Sequence, residues 1–108
     1  MHEFSCETRQ VGDLVAVSLG GEVDIATRRS LLAEVAGRLS PAARVVLDCS
    51  RVTFLDSSGL QGLLEVKRAA AAVGAAFALA APSRPVARVL DLSGTRRAFT
   101  VLDGVPEF

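Results

Sequence analysis

The stretch FLDSSGLQGLL, Phe54 to Leu64, joins two different patterns. An apolar, strand-like run stops at Asp56, two serines and a glycine follow, and from Leu60 onward the leucines take helical spacing. A strand running directly into a helix is the building step of an α/β fold. A plain turn would not need two hydroxyls and a carboxylate, so the same junction is the first place to look for chemistry. Upstream, ARVVLDCS (43–50) is a short continuous apolar run that suits a strand covered on both faces and ending near Asp48. Downstream, SGLQGLLEVKRAAAAVG (58–74) reads as a helix with Leu60, Leu63, Leu64, Ala70 and Ala71 inward and Gly74 as its C-cap.

The pattern extends in both directions. FSCETRQ (4–10) and LVAVSLGG (14–21) are strands separated by a short turn, hence an antiparallel hairpin. Leu14, Ala16 and Ser18 share one face of the second strand, Val15, Val17 and Leu19 the other, and Gly20-Gly21 is expected to break it. DIATRRSLLAEVAGRLS (24–40) is a helix with Asp24 as N-cap, an apolar stripe of Leu31, Leu32, Val35 and Leu39, and Pro41 as its stop. Toward the C-terminus, AAFALAA (75–81) is another covered strand. SRPVARVLDLSG (83–94) is a short helix capped by Ser83 and closed by Gly94, with Val86, Val89 and Leu90 inward, and AFTVLD (98–103) is the last strand. The order β-β-α-β-α-β-α-β predicts an α/β fold: a mixed sheet, mostly parallel with an antiparallel N-terminal hairpin, packed with α-helices. At 108 residues the chain is expected to be a single domain over 1–108.

Composition excludes several functions. Lys+Arg and Asp+Glu are equal at 12 each, so no global field draws in nucleic acid or an anionic membrane. The pairs Arg28-Arg29, Lys67-Arg68 and Arg96-Arg97 read as solvated faces, and with no Trp or Tyr there are no stacking platforms for single strands. Cys6 and Cys49 lack C-x-x-C spacing, and His2 alone could help them hold a metal; they read as two buried thiols in a reducing compartment. MHEFSCETRQ has no apolar signal core, and AAAAVGAAFALAAP (69–82) is too short and alanine-rich to span a bilayer. The expectation is a soluble, cytoplasmic protein with no nucleic-acid or membrane partner.

Catalysis lacks its parts. A serine nucleophile needs a base, and the only histidine is His2 at the terminus. DSSGL is not G-x-S-x-G, and neither phosphate-loop pattern occurs. Asp24, Asp48 and Asp56 could gather around a metal ion, but no lysine at a strand end completes such a site, so no metal and no cofactor are expected. The junction supports two readings. Ser58 and Gln61 form an S-x-x-Q capping box, which would occupy Ser58 and leave the Ser57 hydroxyl free just outside the helix. A free hydroxyl there is placed to carry a phosphate, favoured by the helix N-terminus and opposed by Asp56 and Asp24. The residues alone leave open whether DSSG is all cap or a modification site.

Three segments then carry a resemblance: GGEVDIAT (20–27), VVLDCSRVTFLDSSGLQGLLEVKRAA (45–70) and PVARVLDLSG (85–94). In this order and spacing they resemble the STAS domain of anti-sigma factor antagonists, over essentially the whole chain. The resemblance implies that Ser57 is a phosphoacceptor, with the carboxylates of Asp24 and Asp56 beside it. If the motif loop and the loop before Asp24 lie at the same end of the sheet, the expected partner-binding face is Asp24, Asp56, Ser58, Gly59, Gln61, Glu65 and Arg68. The implied partner is an anti-sigma factor that is also a serine kinase. The unphosphorylated protein would bind it and release the sigma factor, phosphorylation would break the complex, and a metal-dependent, PP2C-type phosphatase would reset it. The protein would be a substrate and not an enzyme, monomeric when free. Two positions depart from the pattern: Gln61 stands where a small residue is common, and Thr95 where an apolar one is usual. A rival reading keeps the fold without the phospho-switch, as a signalling scaffold or a subunit of a lipid-transport complex. A third, direct binding of a nucleotide or other small molecule, lacks a phosphate-cradling glycine loop.

Overall fold

The computed structural model describes residues 3–106. The hairpin forms as expected: β1 (Ser5–Val11) pairs antiparallel with β2 (Leu14–Val23), with Gly12 at φ 57 supplying the left-handed turn residue. Then come α1 (Ile25–Ala36), β3 (Arg44–Leu55), α2 (Ser57–Val73), β4 (Ala76–Ala80), α3 (Arg84–Ser93), a 3₁₀ turn at Arg96–Ala98, and β5 (Val101–Leu102). The strands lie in the order β1-β2-β3-β4-β5, every pair after the first being parallel. This is the mixed α/β sheet the element order predicts.

The strand periodicity divides the core. Val15, Val17 and Leu19 of β2, Val45, Leu47 and Cys49 of β3 and Leu79 of β4 form one buried cluster with Leu31 and Val35 of α1, Leu60, Leu63 and Val66 of α2, and Val86 and Leu90 of α3. All three helices therefore cover one face of the sheet. On the other face Leu14, Val46 and Ala80 are buried together, with Leu102 and Val105 packed against them.

Several boundaries differ from the sequence expectation. Gly20 and Gly21 do not end β2. The strand continues to Val23 through register shifts between Ser18 and Gly20 and between Gly21 and Glu22, and Gly21 takes φ 78. α1 stops at Ala36 and is capped by Gly37, well before Pro41; Leu39 lies beyond the helix yet packs on the core. β3 runs through to Leu55, so Asp48 is mid-strand, because the extended end of β2 goes on pairing with it after β4 has ended at Ala80. The buried side of α2 is Leu60, Leu63, Val66 and Ala70, whereas Leu64 is half-buried and Ala71 exposed. Val89 is half-buried against the core beside Val86 and Leu90. Ser83 starts α3 without a side-chain cap bond, its hydroxyl buried and unpartnered among the described residues. The last strand is only Val101–Leu102: Ala98 is in the 3₁₀ turn, and Phe99 is buried with its ring centroid 6.3 Å from that of Phe77. Gly74 and Gly94 cap α2 and α3 in the left-handed conformation, as read from the sequence.

No helix of the described residues is long and apolar enough to cross a membrane. His2 lies outside the described residues. Cys6 is half-buried and Cys49 buried, both as free thiols.

Candidate functional site

The parallel register of β2 and β3 sets Val23 opposite Leu55, so the next residues, Asp24 and Asp56, leave neighbouring strand ends. Each aspartate caps the helix that follows it. Asp24 Oδ1 accepts from the amides of Ala26 at 2.9 Å and Thr27 at 3.2 Å, and the Asp24 amide donates to Thr27 Oγ1 at 2.9 Å, closing a reciprocal capping box. Thr27 Oγ1 in turn donates to the Glu22 carbonyl at 3.0 Å, tying α1 back to β2. Asp56 Oδ1 accepts from the Gly59 amide at 2.8 Å.

The last bond corrects the sequence reading of the junction. Ser58 is not the N-cap and makes no box with Gln61; the cap is Asp56, whose backbone is still extended at φ −107. Pairing with β2 keeps the chain extended through Leu55, which gives the Asp56 carboxylate, three residues before an amide, the capping place expected of Ser58. Ser57 is consequently the first residue of α2 and not a residue outside it. Its side chain is exposed, and among the described residues its hydroxyl has no hydrogen-bond partner. Ser58 is half-buried, also with an unpartnered hydroxyl among the described residues, and Gln61 is exposed on the first turn.

Gly59, expected on the partner face, is buried. A Cβ there would be driven into the Val23 carbonyl oxygen and would stand 2.7 Å from Leu55 Cδ1. The glycine lets the start of α2, which carries Ser57, sit directly on the end of β2. Gly62 has a related use. Arg28 of α1 crosses over it, its Cγ 3.0 Å from where a Cβ would be, and reaches Glu65 with Nη2 to Oε1 at 2.8 Å. Glu65 therefore joins α2 to α1 as well as facing solvent in part. Arg68 is exposed and, among the described residues, has no partner. Ser57, Gln61 and Arg68 fall along one outer line of α2, with Glu65 at its margin.

Two exposed apolar residues that the sequence reading passed over lie close in sequence to the capping aspartates. Ile25, next to Asp24, is 74% exposed, and Phe54, two residues before Asp56, is 45% exposed. The sequence does hold a signal for Phe54: Phe54 and Leu55 are adjacent in a strand and cannot both face the core. Between α1 and α2 lies an open cleft of about 390 Å³ lined by Ile25, Arg28, Arg29, Leu32 and Glu65. The site thus offers a free hydroxyl, two carboxylates occupied as caps, and apolar side chains in solvent.

Asp48 stands apart on β3, its Oδ1 accepting from the Ser50 amide at 3.0 Å. Among the described residues no three His, Cys, Asp or Glu side chains form a group that could hold a metal ion. Burial pushes the thiols up, Cys6 to about 11 with Glu34 adding to the effect, and Cys49 to about 12 with Asp48 adding to it.

The family model described as Mlab, STAS domain, matches residues 6–103. Among solved structures, the chain is similar to a candidate anti-sigma factor antagonist from Thermotoga maritima. The identity is 24% over 93% of this chain and 87% of that one, with a TM-score of 0.81. An anti-sigma factor antagonist from Mycobacterium paratuberculosis is 22% identical over 95% of this chain and 88% of that one, with a TM-score of 0.79. Bacillus SpoIIAA in its unphosphorylated form is 24% identical over 90% of this chain and 87% of that one, with a TM-score of 0.73.

Proposed function

The chain belongs to the STAS domain family, and from that premise we propose that it is an anti-sigma factor antagonist whose binding is switched by phosphorylation of Ser57. In this reading it is a binding protein and a kinase substrate, not an enzyme. Its unphosphorylated form holds an anti-sigma factor that is also a serine kinase, and a PP2C-type phosphatase restores that form. The observation that carries the reading is the Ser57 hydroxyl: exposed, unpartnered among the described residues, and at the first position of a helix whose own capping is done by Asp56. Nothing in the fold needs that hydroxyl, so modifying it costs the fold little.

The partner face in this reading is Ser57, Ser58, Gln61, Glu65 and Arg68, rimmed by Asp24 and Asp56, with Ile25 and Phe54 as apolar contacts. A phosphate adds about −1.5 to −2 charges at neutral pH. The helix dipole at the start of α2 and bulk water accommodate this charge in the isolated protein, with Asp56 opposing it. A partner closing over the site must desolvate it beside that carboxylate. A penalty of about 3 kcal/mol would weaken the complex more than about a hundredfold.

The test is intact-mass analysis of protein from its native cells, with and without phosphatase, paired with binding of Ser57→Ala and Ser57→Asp to the anti-sigma factor. One phosphoryl group removable from Ser57, tight binding by Ser57→Ala and weak binding by Ser57→Asp are expected. A native chain that carries no phosphate and binds its partner equally well as Ser57→Asp would instead be a scaffold or transport-complex subunit.

A further inference from the structure

The outer face of α3 has chemistry that the Ser57 surface lacks. Val86 and Leu90 bury the inner side of this helix. Arg84, Arg88 and Leu92, spaced four residues apart, lie along the outer side, and with Ala87 and Asp91 they line a shallow groove of about 490 Å³. Leu92 is 78% exposed. Asp91 is already engaged, its Oδ1 accepting from Arg96 Nε at 2.7 Å. Arg84 and Arg88 have no hydrogen-bond or ion-pair partner among the described residues, and Arg97 is exposed on the following turn. Residues 84–97 thus hold four of the chain's 12 basic residues against one of its 12 acids. A lone exposed leucine calls for no explanation. A leucine sharing a groove with two uncompensated guanidiniums is a patch with a definite complement.

We propose that this groove docks an acidic segment of another protein, with carboxylates paired to Arg84 and Arg88 and an apolar side chain resting on Leu92. Arginine favours this use because its planar fork meets a carboxylate in two parallel hydrogen bonds. Other occupants fit less well. A second copy of the chain is a poorer occupant, since five of its acids, Asp24, Glu34, Asp48, Asp56 and Glu65, are each already engaged within the fold. A lipid surface would receive one leucine and a few arginines, too little for stable anchoring. A nucleic acid would use the arginines but strand the leucine, with no aromatic ring in the groove for its bases.

The experiment is chemical-shift mapping on the full chain labelled with nitrogen-15. The probe is a capped helical peptide of about twelve residues with glutamates spaced four apart and a leucine stripe. The controls are the same peptide with lysine for glutamate, a single-stranded oligonucleotide, and vesicles of phosphatidylglycerol and phosphatidylcholine. Saturable shifts confined to residues 84–97 are expected with the acidic peptide alone. Arg88→Glu should weaken them about tenfold, Leu92→Ser should weaken them severalfold, and added salt should weaken them further. Ser57→Asp should leave them unchanged, so this docking and the phospho-switch succeed or fail separately. The proposal is overturned if the acidic peptide shifts no amides on α3, if Arg88→Glu has no effect, or if the oligonucleotide or the vesicles move the same amides. It is equally overturned if concentrating the protein alone produces the same shifts.

Discussion

Replacing Gly59 by alanine should unseat the helix that carries Ser57. The added Cβ would be driven into the Val23 carbonyl oxygen and stand 2.7 Å from Leu55 Cδ1 and 2.8 Å from the Val23 carbonyl carbon. Two of these three neighbours are backbone, so no rotamer change relieves the contact; either α2 lifts from the sheet or the end of β2 bends. Overpacking of this kind costs about 1–3 kcal/mol and occasionally more. Alanine's better helix propensity returns up to about 1 kcal/mol. Since the obstruction is backbone, the upper end applies, and a net loss of about 2 kcal/mol is expected. For a chain of 108 residues this lowers Tm by roughly 8–16 °C. Gly62→Ala is the control, one turn further along the same helix. Its Cβ would stand 3.0 Å from Arg28 Cγ, part of a flexible side chain that can move aside, so its stability should stay within about 1 kcal/mol of wild type. Both are read by thermal unfolding in far-ultraviolet circular dichroism. If Gly59→Ala melts within about 2 °C of wild type, α2 is not seated on Val23 and the reason given for the position of Ser57 fails.

Further substitutions separate the roles of neighbouring residues. Asp56→Ala should lose about 1 kcal/mol with the α2 cap, whereas Ser58→Ala should stay within about 0.5 kcal/mol of wild type, both by denaturant titration. Leu63→Ala, at a fully buried position, should cost about 2–5 kcal/mol and Leu64→Ala distinctly less; equal costs would mean that the buried side of α2 is misjudged. Ile25→Ser should weaken binding to the anti-sigma factor by about 1–2 kcal/mol in calorimetry with Tm unchanged, and an unaffected affinity would remove Ile25 from the contact surface. Stability should also fall in alkali. In the unfolded chain the thiols ionise near 9.0, but in the folded protein Cys6 keeps its proton to about 11 and Cys49 to about 12. Above pH 9.0 the unfolded state therefore binds fewer protons, and the stability held below that pH is lost as pH rises toward 11 and 12. Urea midpoints should show Cys6→Ser declining less than wild type across this window, and parallel declines would count against the burial of that thiol.

What local pattern encodes is legible in the amino-acid sequence. The hairpin, the alternation of strands and helices, Asp24 as N-cap, and Gly74 and Gly94 as C-caps each depend on residues a few positions apart, and each follows from the order of residues alone. The motif around DSSG marks the junction, but the S-x-x-Q box expected to occupy Ser58 does not form, and the hydroxyls of Ser57 and Ser58 are both unpartnered among the described residues. Which residue caps α2 is not legible there. Asp56 before Gly59 and Ser58 before Gln61 are both acceptors three residues ahead of an amide, and the choice depends on where β3 stops. That point is set by pairing with β2 up to Val23 and Leu55, far apart in sequence. The same holds for Asp48 in mid-strand, for Gly59 against the Val23 carbonyl, and for Glu65 bound to Arg28 across Gly62. Propensity and periodicity specify which elements form and roughly which side each buries, though not the edge of that side, as Leu64 and Ala71 of α2 show. How far a strand extends, how closely a helix approaches it and which charges meet are decided only when distant segments pack, because each is a property of a pair and not of either segment alone.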